Sequence, residues 1–238
     1  MDLSREILKA IDKMGFSEPS AVQARTIPLM MSGADINAIA PTGTGKTCAF
    51  GIPMLEYVQL KDSRIQEVVL APTRELALQI GDELTRLASF IQGVRIAVIY
   101  GGQSISKQIT ALKRRPQIII ATPGRLLDHM QRGNISLNAV HTMVLDEADE
   151  MLSMGFVKDV TKIIEAAPVD RQLVMFSATT NQEVLTIAWK YQHDPVEITV
   201  EATDNGHIDT AVLRLLTDED LAELSAGNDA RPGEGAEA

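Results

Sequence analysis

A chain of 238 residues with 45% apolar and 23% charged side chains can bury a substantial core, and it reads as one globular domain with room for an appendage. No apolar run reaches spanning length, Met1-Asp2-Leu3-Ser4-Arg5-Glu6 has no basic region followed by an apolar one, and the single cysteine, Cys48, excludes an internal disulfide and a cysteine metal cage; the expectation is a cytoplasmic protein with no membrane partner. Of the net charge of −10, residues 201–238 carry most, with 10 acidic and 2 basic side chains against 22 and 20 in residues 1–200, so global charge neither supports nor excludes a nucleic-acid partner.

Leu3, Ile7, Leu8, Ile11 and Met14 recur at helical spacing before Gly15, and Ser20 is placed to cap a second helix carrying Val22, Ile27, Leu29 and Met30. Between them lies Gly15-Phe16-Ser17-Glu18-Pro19, where the residues alone suggest Phe16 as a buried staple and Gln23 as an exposed polar side chain.

The stretch around which the chain is organised is Ile36-Asn37-Ala38-Ile39 followed by Ala40-Pro41-Thr42-Gly43-Thr44-Gly45-Lys46-Thr47. An apolar run, a glycine-containing turn and Lys-Thr opening a helix form the strand–loop–helix layout of a phosphate-binding loop. Gly43 and Gly45 allow the backbone N–H groups to approach a triphosphate at the positive end of the helix; Lys46 would reach the β/γ-phosphates and the Thr47 hydroxyl would ligate Mg²⁺. The general pattern begins with Gly where this chain has Ala40, and the competing reading is a flexible turn before an ordinary amphipathic helix. Cys48 then falls on the first turn as a small packing residue.

Further strand-like runs occupy Glu67–Ala71, Val94–Tyr100, Gln117–Ala121, Thr142–Leu145, Gln172–Phe176 and Val196–Val200, with helix-length segments between most of them. This alternation predicts an α/β domain, a doubly wound, mostly parallel sheet with helices on both faces. Ligands of such sheets bind beyond the carboxyl ends of the strands. Three of those ends carry Pro72-Thr73-Arg74, Gly101-Gly102 and Thr122-Pro123-Gly124-Arg125, whose backbone N–H groups, hydroxyls and guanidinium groups suit a sugar–phosphate backbone read by shape. Plain turn chemistry, with Thr73 or Thr122 capping a helix, explains any one of them equally well; three along one edge favour a binding surface. A fourth end carries Asp146-Glu147-Ala148-Asp149, with Asp146 as a metal-side carboxylate and Glu147 as a base for the attacking water. Alone, such a cluster is a solvated helix start with Asp149 as cap. Ser177-Ala178-Thr179 ends the Gln172–Phe176 run, and as bare chemistry it is an N-cap.

Taken together, residues 3–200 resemble the N-terminal RecA-like, P-loop NTPase domain of the DEAD-box RNA helicases. Gly15 through Gln23 looks like the family's Q motif, in which Phe16 and Gln23 recognise adenine, and Ala40–Thr47 is similar to the family's own phosphate loop, including Ala40. Pro72–Leu76, Gly101-Gly102 and Thr122–Arg125 resemble the RNA-contacting motifs; Asp146–Asp149 spells the family name; Ser177 and Thr179 match the motif that couples hydrolysis to strand separation.

The resemblance implies residues 1–24 as the Q-motif region and residues 25–200 as the ATP-binding domain; residues 201–238 have no counterpart in the family pattern, and their charge and low apolar content predict an acidic, largely disordered tail in which Thr217 caps one short helix over Thr217–Leu224. It implies ATP and Mg²⁺ as cofactors and RNA as partner, with hydrolysis coupled to duplex opening. It also implies a second RecA-like domain, supplying arginine to the γ-phosphate, that residues 201–238 do not resemble. A catalytically weak nucleotide- or RNA-binding regulator is the alternative, and a DNA translocase the third.

Overall fold

The computed structural model describes residues 3–201; the expected helix at Thr217–Leu224 and the rest of the acidic tail lie outside them. Two helices, α1 (Arg5–Lys13) and α2 (Ala21–Met31), precede strand β1 (Ile36–Ile39) and helix α3 (Lys46–Tyr57). Then come β2 (Glu67–Leu70), α4 (Arg74–Leu87), β3 (Ile96–Ile99), α5 (Ile105–Leu112), β4 (Ile118–Ala121), α6 (Pro123–Gln131) and β5 (Thr142–Leu145). A short α7 (Ala148–Met151) runs through one wide turn into α8 (Val157–Glu165), followed by β6 (Gln172–Ser177), α9 (Gln182–Tyr191) and β7 (Val196–Thr199).

Local chemistry sets the helix starts. The Ser4 hydroxyl accepts from Ile7 N–H, and Thr73 accepts from Leu76 N–H at the head of α4. At α2 the exchange is reciprocal: Ser20 Oγ accepts from Gln23 N–H at 3.4 Å while Gln23 Oε1 accepts from Ser20 N–H at 3.0 Å, a capping box.

The seven strands form one parallel sheet in the order β3-β4-β2-β5-β6-β1-β7. Alternation of side chains divides the core into two layers. Val69, Ile118, Ile120, Val144, Val174 and Phe176 pack with α1–α4, whereas Val68, Ile119, Met143, Leu145, Leu173 and Met175 pack with α6, α8 and α9. Both faces are therefore covered, as expected from the unbroken apolar runs. Several expected strands are a residue or two shorter than their apolar runs, yet the ladder carries on into the loops: Ala71 N–H donates to Ala121 O, Ala40 N–H to Ser177 O and Val200 N–H to Ile39 O. All strands being parallel, these extensions gather the strand exits at one edge, where the candidate residues lie.

Candidate functional site

The phosphate loop leaves β1 at the carboxyl edge and enters α3 through Gly45, the N-cap, at φ +88°. Gly43 has φ +79°; Ala40 is not among the residues with positive φ and is fully buried, so an alanine methyl is tolerated at the position where the general pattern has Gly. Thr44 Oγ1 donates to Pro41 O at 2.9 Å, pinning the loop upon itself, and no side chain caps the N-terminus of α3, whose N–H groups are left for an anion. Gln23 braces the turn from α2: its Nε2 donates to Gly45 O at 3.1 Å. The expected exposed glutamine is thus half-buried and wired to the loop. Phe16, expected as a staple, is instead 45% exposed, since the turn after α1 leaves its ring outside the core.

Lys46 is 7% exposed, and its ammonium lies 3.4 Å from Ala40 O and 3.9 Å from Asp146 Oδ1. Asp146 follows β5, which is separated from β1 by β6, so this pair spans two strands that never touch. Burial pushes the Asp146 carboxyl up, opposed by Lys46 and by the Glu147 N–H that donates to Oδ1 at 3.0 Å. Glu147 sits at φ +49°, in the left-handed region. Partial burial, a hydrogen bond with Glu150 and the charge of Asp146 push its carboxyl up to about 7. Thr47 opens α3 one residue beyond Lys46 and is half-buried.

Asp149 and the 177–179 segment correct two simpler expectations. Asp149 caps nothing; its Oδ2 accepts from Thr179 N–H at 2.9 Å and from Thr179 Oγ1 at 2.7 Å, tying the end of β6 to the start of α7. The cap of α9 is Asn181, whose side chain accepts from Val184 N–H, and not Ser177 or Thr179. Ser177 ends β6, 4% exposed, beside Ala40.

The other three exits, of β2, β4 and β3, lie beyond β5 on the same edge. Thr73 caps α4, Arg74 stacks its guanidinium 5.1 Å above the Tyr100 ring, and Pro72 leads into the helix. Gly101 and Gly102 are exposed, Gly102 with φ +85°. Thr122 stands at the N-cap of α6 without a side-chain bond, Pro123 is buried and Gly124 exposed. Arg125 is turned inward: its Nη1 donates to Gln103 O at 2.9 Å and to Gln108 Oε1 at 3.0 Å. The contributions of Gln108, His129 and Asp149 were missed in the sequence. For Gln108 and His129 the signal was present, a polar residue on the apolar face of a helix: Gln108 among Ile105, Ile109 and Leu112, and His129 beside Leu126 and Met130.

A buried lysine at a glycine turn, a carboxylate opposite it and an open row of N–H groups can hold a polyphosphate and a hard cation. Among the described residues no group of three or more His, Cys, Asp or Glu could hold a metal. Thr47 and Asp146 offer hydroxyl and carboxylate oxygen alone, which fits Mg²⁺ held mainly by water and phosphate and fits no soft metal.

Fold and site together define a RecA-like P-loop domain. The DEAD/DEAH box helicase family model matches residues 20–187, and the chain belongs to that family. It is 48% identical over 204 residues to the DEAD-box ATP-dependent RNA helicase CshA of Geobacillus kaustophilus, covering 86% of this chain and 44% of that protein. It is 47% identical over 203 residues to the CshA of Bacillus subtilis, covering 85% and 41%. The chain thus spans less than half the length of these relatives. Among solved structures, a DEAD box protein from the hyperthermophile Methanococcus jannaschii superposes with a TM-score of 0.82 at 40% identity, covering 95% of this chain and 68% of that one.

Proposed function

We propose that the chain is the ATP-binding part of an ATP-dependent RNA helicase, coupling ATP hydrolysis to the opening or remodelling of RNA duplex when a second RecA-like domain, in cis or in trans, closes over the site. The buried Lys46–Asp146 pair carries this reading: it brings the phosphate loop of β1 and the acid of β5 to one point at the carboxyl edge. The relatives named ATP-dependent RNA helicases add the substrate class.

In this reading Phe16 and Gln23 hold adenine, and Ala40, Pro41, Thr42, Gly43, Thr44, Gly45 and Lys46 hold the phosphates, with Thr47 and Asp146 at Mg²⁺. Residues 1–24 act as the adenine-reading element of the ATP-binding unit 25–200. The exposed ring of Phe16 supports the first assignment, because an aromatic left outside the core is available to stack. Mg²⁺, when bound, neutralises charge on the transferring phosphoryl group. Glu147 positions the attacking water and takes its proton, a task suited to a carboxyl held at about 7. Thr179, held by Asp149, makes the end of β6 responsive to what happens beside α7. RNA lies along Pro72–Arg74, Gly101-Gly102 and Thr122–Gly124, met by backbone N–H groups and by Arg74. Among the described residues no helix is long and apolar enough to cross a membrane.

An arginine supplied across a domain interface is worth about 10³–10⁵ in rate in related phosphoryl-transfer enzymes, so the 238 residues alone bind nucleotide and turn it over slowly. The test is ATP binding and turnover with and without single-stranded RNA, beside Lys46→Ala and Glu147→Gln. Nucleotide binding lost in Lys46→Ala, with turnover that rises on adding a separately made second domain, is the expected result. Unimpaired nucleotide binding by Lys46→Ala would overturn the site, and vigorous duplex opening by the chain alone would overturn the requirement for a second domain.

A further inference from the structure

Arg125 looks from its position like another cation for the RNA phosphates, but its hydrogen bonds run into the protein. Nη1 is shared between Gln103 O and Gln108 Oε1, at 2.9 and 3.0 Å. Gln108 is 1% exposed, and its Nε2 donates to Tyr100 O at 2.8 Å, which fixes the amide's orientation and leaves Oε1 as acceptor. His129 Nε2 lies 2.9 Å from that same Oε1 and must therefore carry the proton, so Nδ1 accepts from Asn134 Nδ2 at 3.2 Å. His129 is fully buried and neutral, a state favoured by its burial and then by the charge of Arg125. The chain of bonds continues outward. Gln103 Nε2 donates to Tyr100 Oη at 3.0 Å, and Arg74 stacks on the Tyr100 ring.

We propose that Arg125 is a positioning residue: through Gln108 and the Gln103 carbonyl it clamps the Tyr100–Ser104 loop to the start of α6, so that the three RNA-facing loops form one preset surface without Arg125 itself touching a phosphate. The loop needs such a clamp. Gly101 and Gly102 are exposed, nothing lies within 4 Å of where their Cβ atoms would be, and Ser104 makes no side-chain cap to α5. Two exposed glycines without packing partners leave a backbone that samples many conformations; the two carbonyls at 100 and 103 are what the network grips. Free N–H groups at 101 and 102 then face a ligand already ordered, and binding is spared the cost of ordering them.

This inference rests on the reading of that edge as the RNA surface, and the test separates the two. Arg125→Ala, Arg125→Lys and the parent are compared by binding of a labelled oligouridylate strand from about 50 to 200 mM salt, and by hydrogen exchange of the amides at 101–105 without RNA. A clamp predicts that both variants lose about tenfold in affinity at every salt concentration, the order of one or two hydrogen bonds. The slope of log K against log salt stays that of the parent, because no phosphate contact is lost, and the 101–105 amides exchange faster. Lysine does not rescue, since it keeps the charge but lacks the planar fork. A direct phosphate contact predicts a slope smaller in magnitude by about 0.7 in Arg125→Ala, near-parent binding by Arg125→Lys and unchanged exchange; that result overturns the proposal. A parent chain that fails to bind RNA overturns the RNA reading, while the exchange measurement still decides whether Arg125 holds the loop. Denaturation midpoints confirm that each variant is folded, and Arg125→Lys alone suffices if Arg125→Ala is not.

Discussion

Replacing Gly45 by alanine tests the joint between the phosphate loop and α2. Two separate costs are visible. At φ +88° an alanine sits in the left-handed region, worth about 1–2 kcal/mol. Its Cβ would also stand 2.5 Å from Gln23 Nε2, so the amide must leave, breaking its 3.1 Å bond to Gly45 O and loosening the 3.0 Å bond it accepts from Ser20 N–H, at about 1 kcal/mol net for each. The expected total is about 3–4 kcal/mol, a fall in Tm of about 6–16 °C for a domain of this size. Gly43→Ala is the control, because its φ of +79° carries the first cost while nothing lies within 4 Å of the new Cβ. It should lose only about 1–2 kcal/mol. In Gln23→Ala the clash is absent, so Gly45→Ala added to it should cost no more than Gly43→Ala does; the double-mutant cycle reads the coupling directly. Thermal and denaturant unfolding of the parent and the four variants decides the matter. Equal losses from Gly43→Ala and Gly45→Ala, or additivity with Gln23→Ala, would refute the claim that Gln23 braces the loop.

Three other expectations concern groups away from this joint. Glu67, fully buried, is driven by burial well above its ordinary 4.5, opposed only by the neighbouring Thr142 hydroxyl, with His141 Nδ1 3.6 Å from Oε1; the unfolded chain therefore loses its proton first and stability falls as pH rises from 4.5 towards the folded value, by at most about 1.4 kcal/mol per pH unit. Glu67→Gln should abolish that slope and leave a protein more stable than the parent at neutral pH; urea midpoints across pH that run parallel for the two would contradict it. Asp149→Ala removes both exposed bonds between α7 and the end of β6, whereas Thr179→Val removes only the hydroxyl bond and keeps the one from the backbone N–H; each should cost about 1 kcal/mol or less, Thr179→Val the smaller, with a double mutant no worse than Asp149→Ala, measured by denaturant titration. The Cys48 thiol, 2% exposed, is pushed up to about 12 by burial and by the Glu83 carboxylate that accepts a hydrogen bond from it at 3.2 Å. A thiol-specific reagent at pH 8 should therefore label the denatured chain at least about a hundredfold faster than the native one, and stoichiometric labelling of the native protein within the dead time would count against this.

The strands and the phosphate loop were legible because both are written in local terms. Continuous apolar runs such as Ile118-Ile119-Ile120 leave a segment no stable place except a sheet covered on both faces, and Gly43, Gly45 and Lys46-Thr47 specify a backbone shape within a few residues. The gathering of the exits at one edge follows from parallel pairing, which the alternation of strand and helix already implied. What local sequence could not state is which polar groups meet across elements. Phe16 faces outward because α1 and α2 turn at Gly15, and Gln23 reaches Gly45 because α2 packs on α3. Lys46 approaches Asp146 only because the sheet order sets β6 alone between β1 and β5. Arg125 reads in sequence as a free cation beside a helix start, and the packing of α5 against β3 delivers Gln108 to its guanidinium. Residue type and spacing determined the fold and the chemistry available at the site. The tertiary structure decided which of those groups face a ligand and which hold the others in place, since hydrogen-bond partners tens of residues apart are set by packing and leave no periodic trace in the chain.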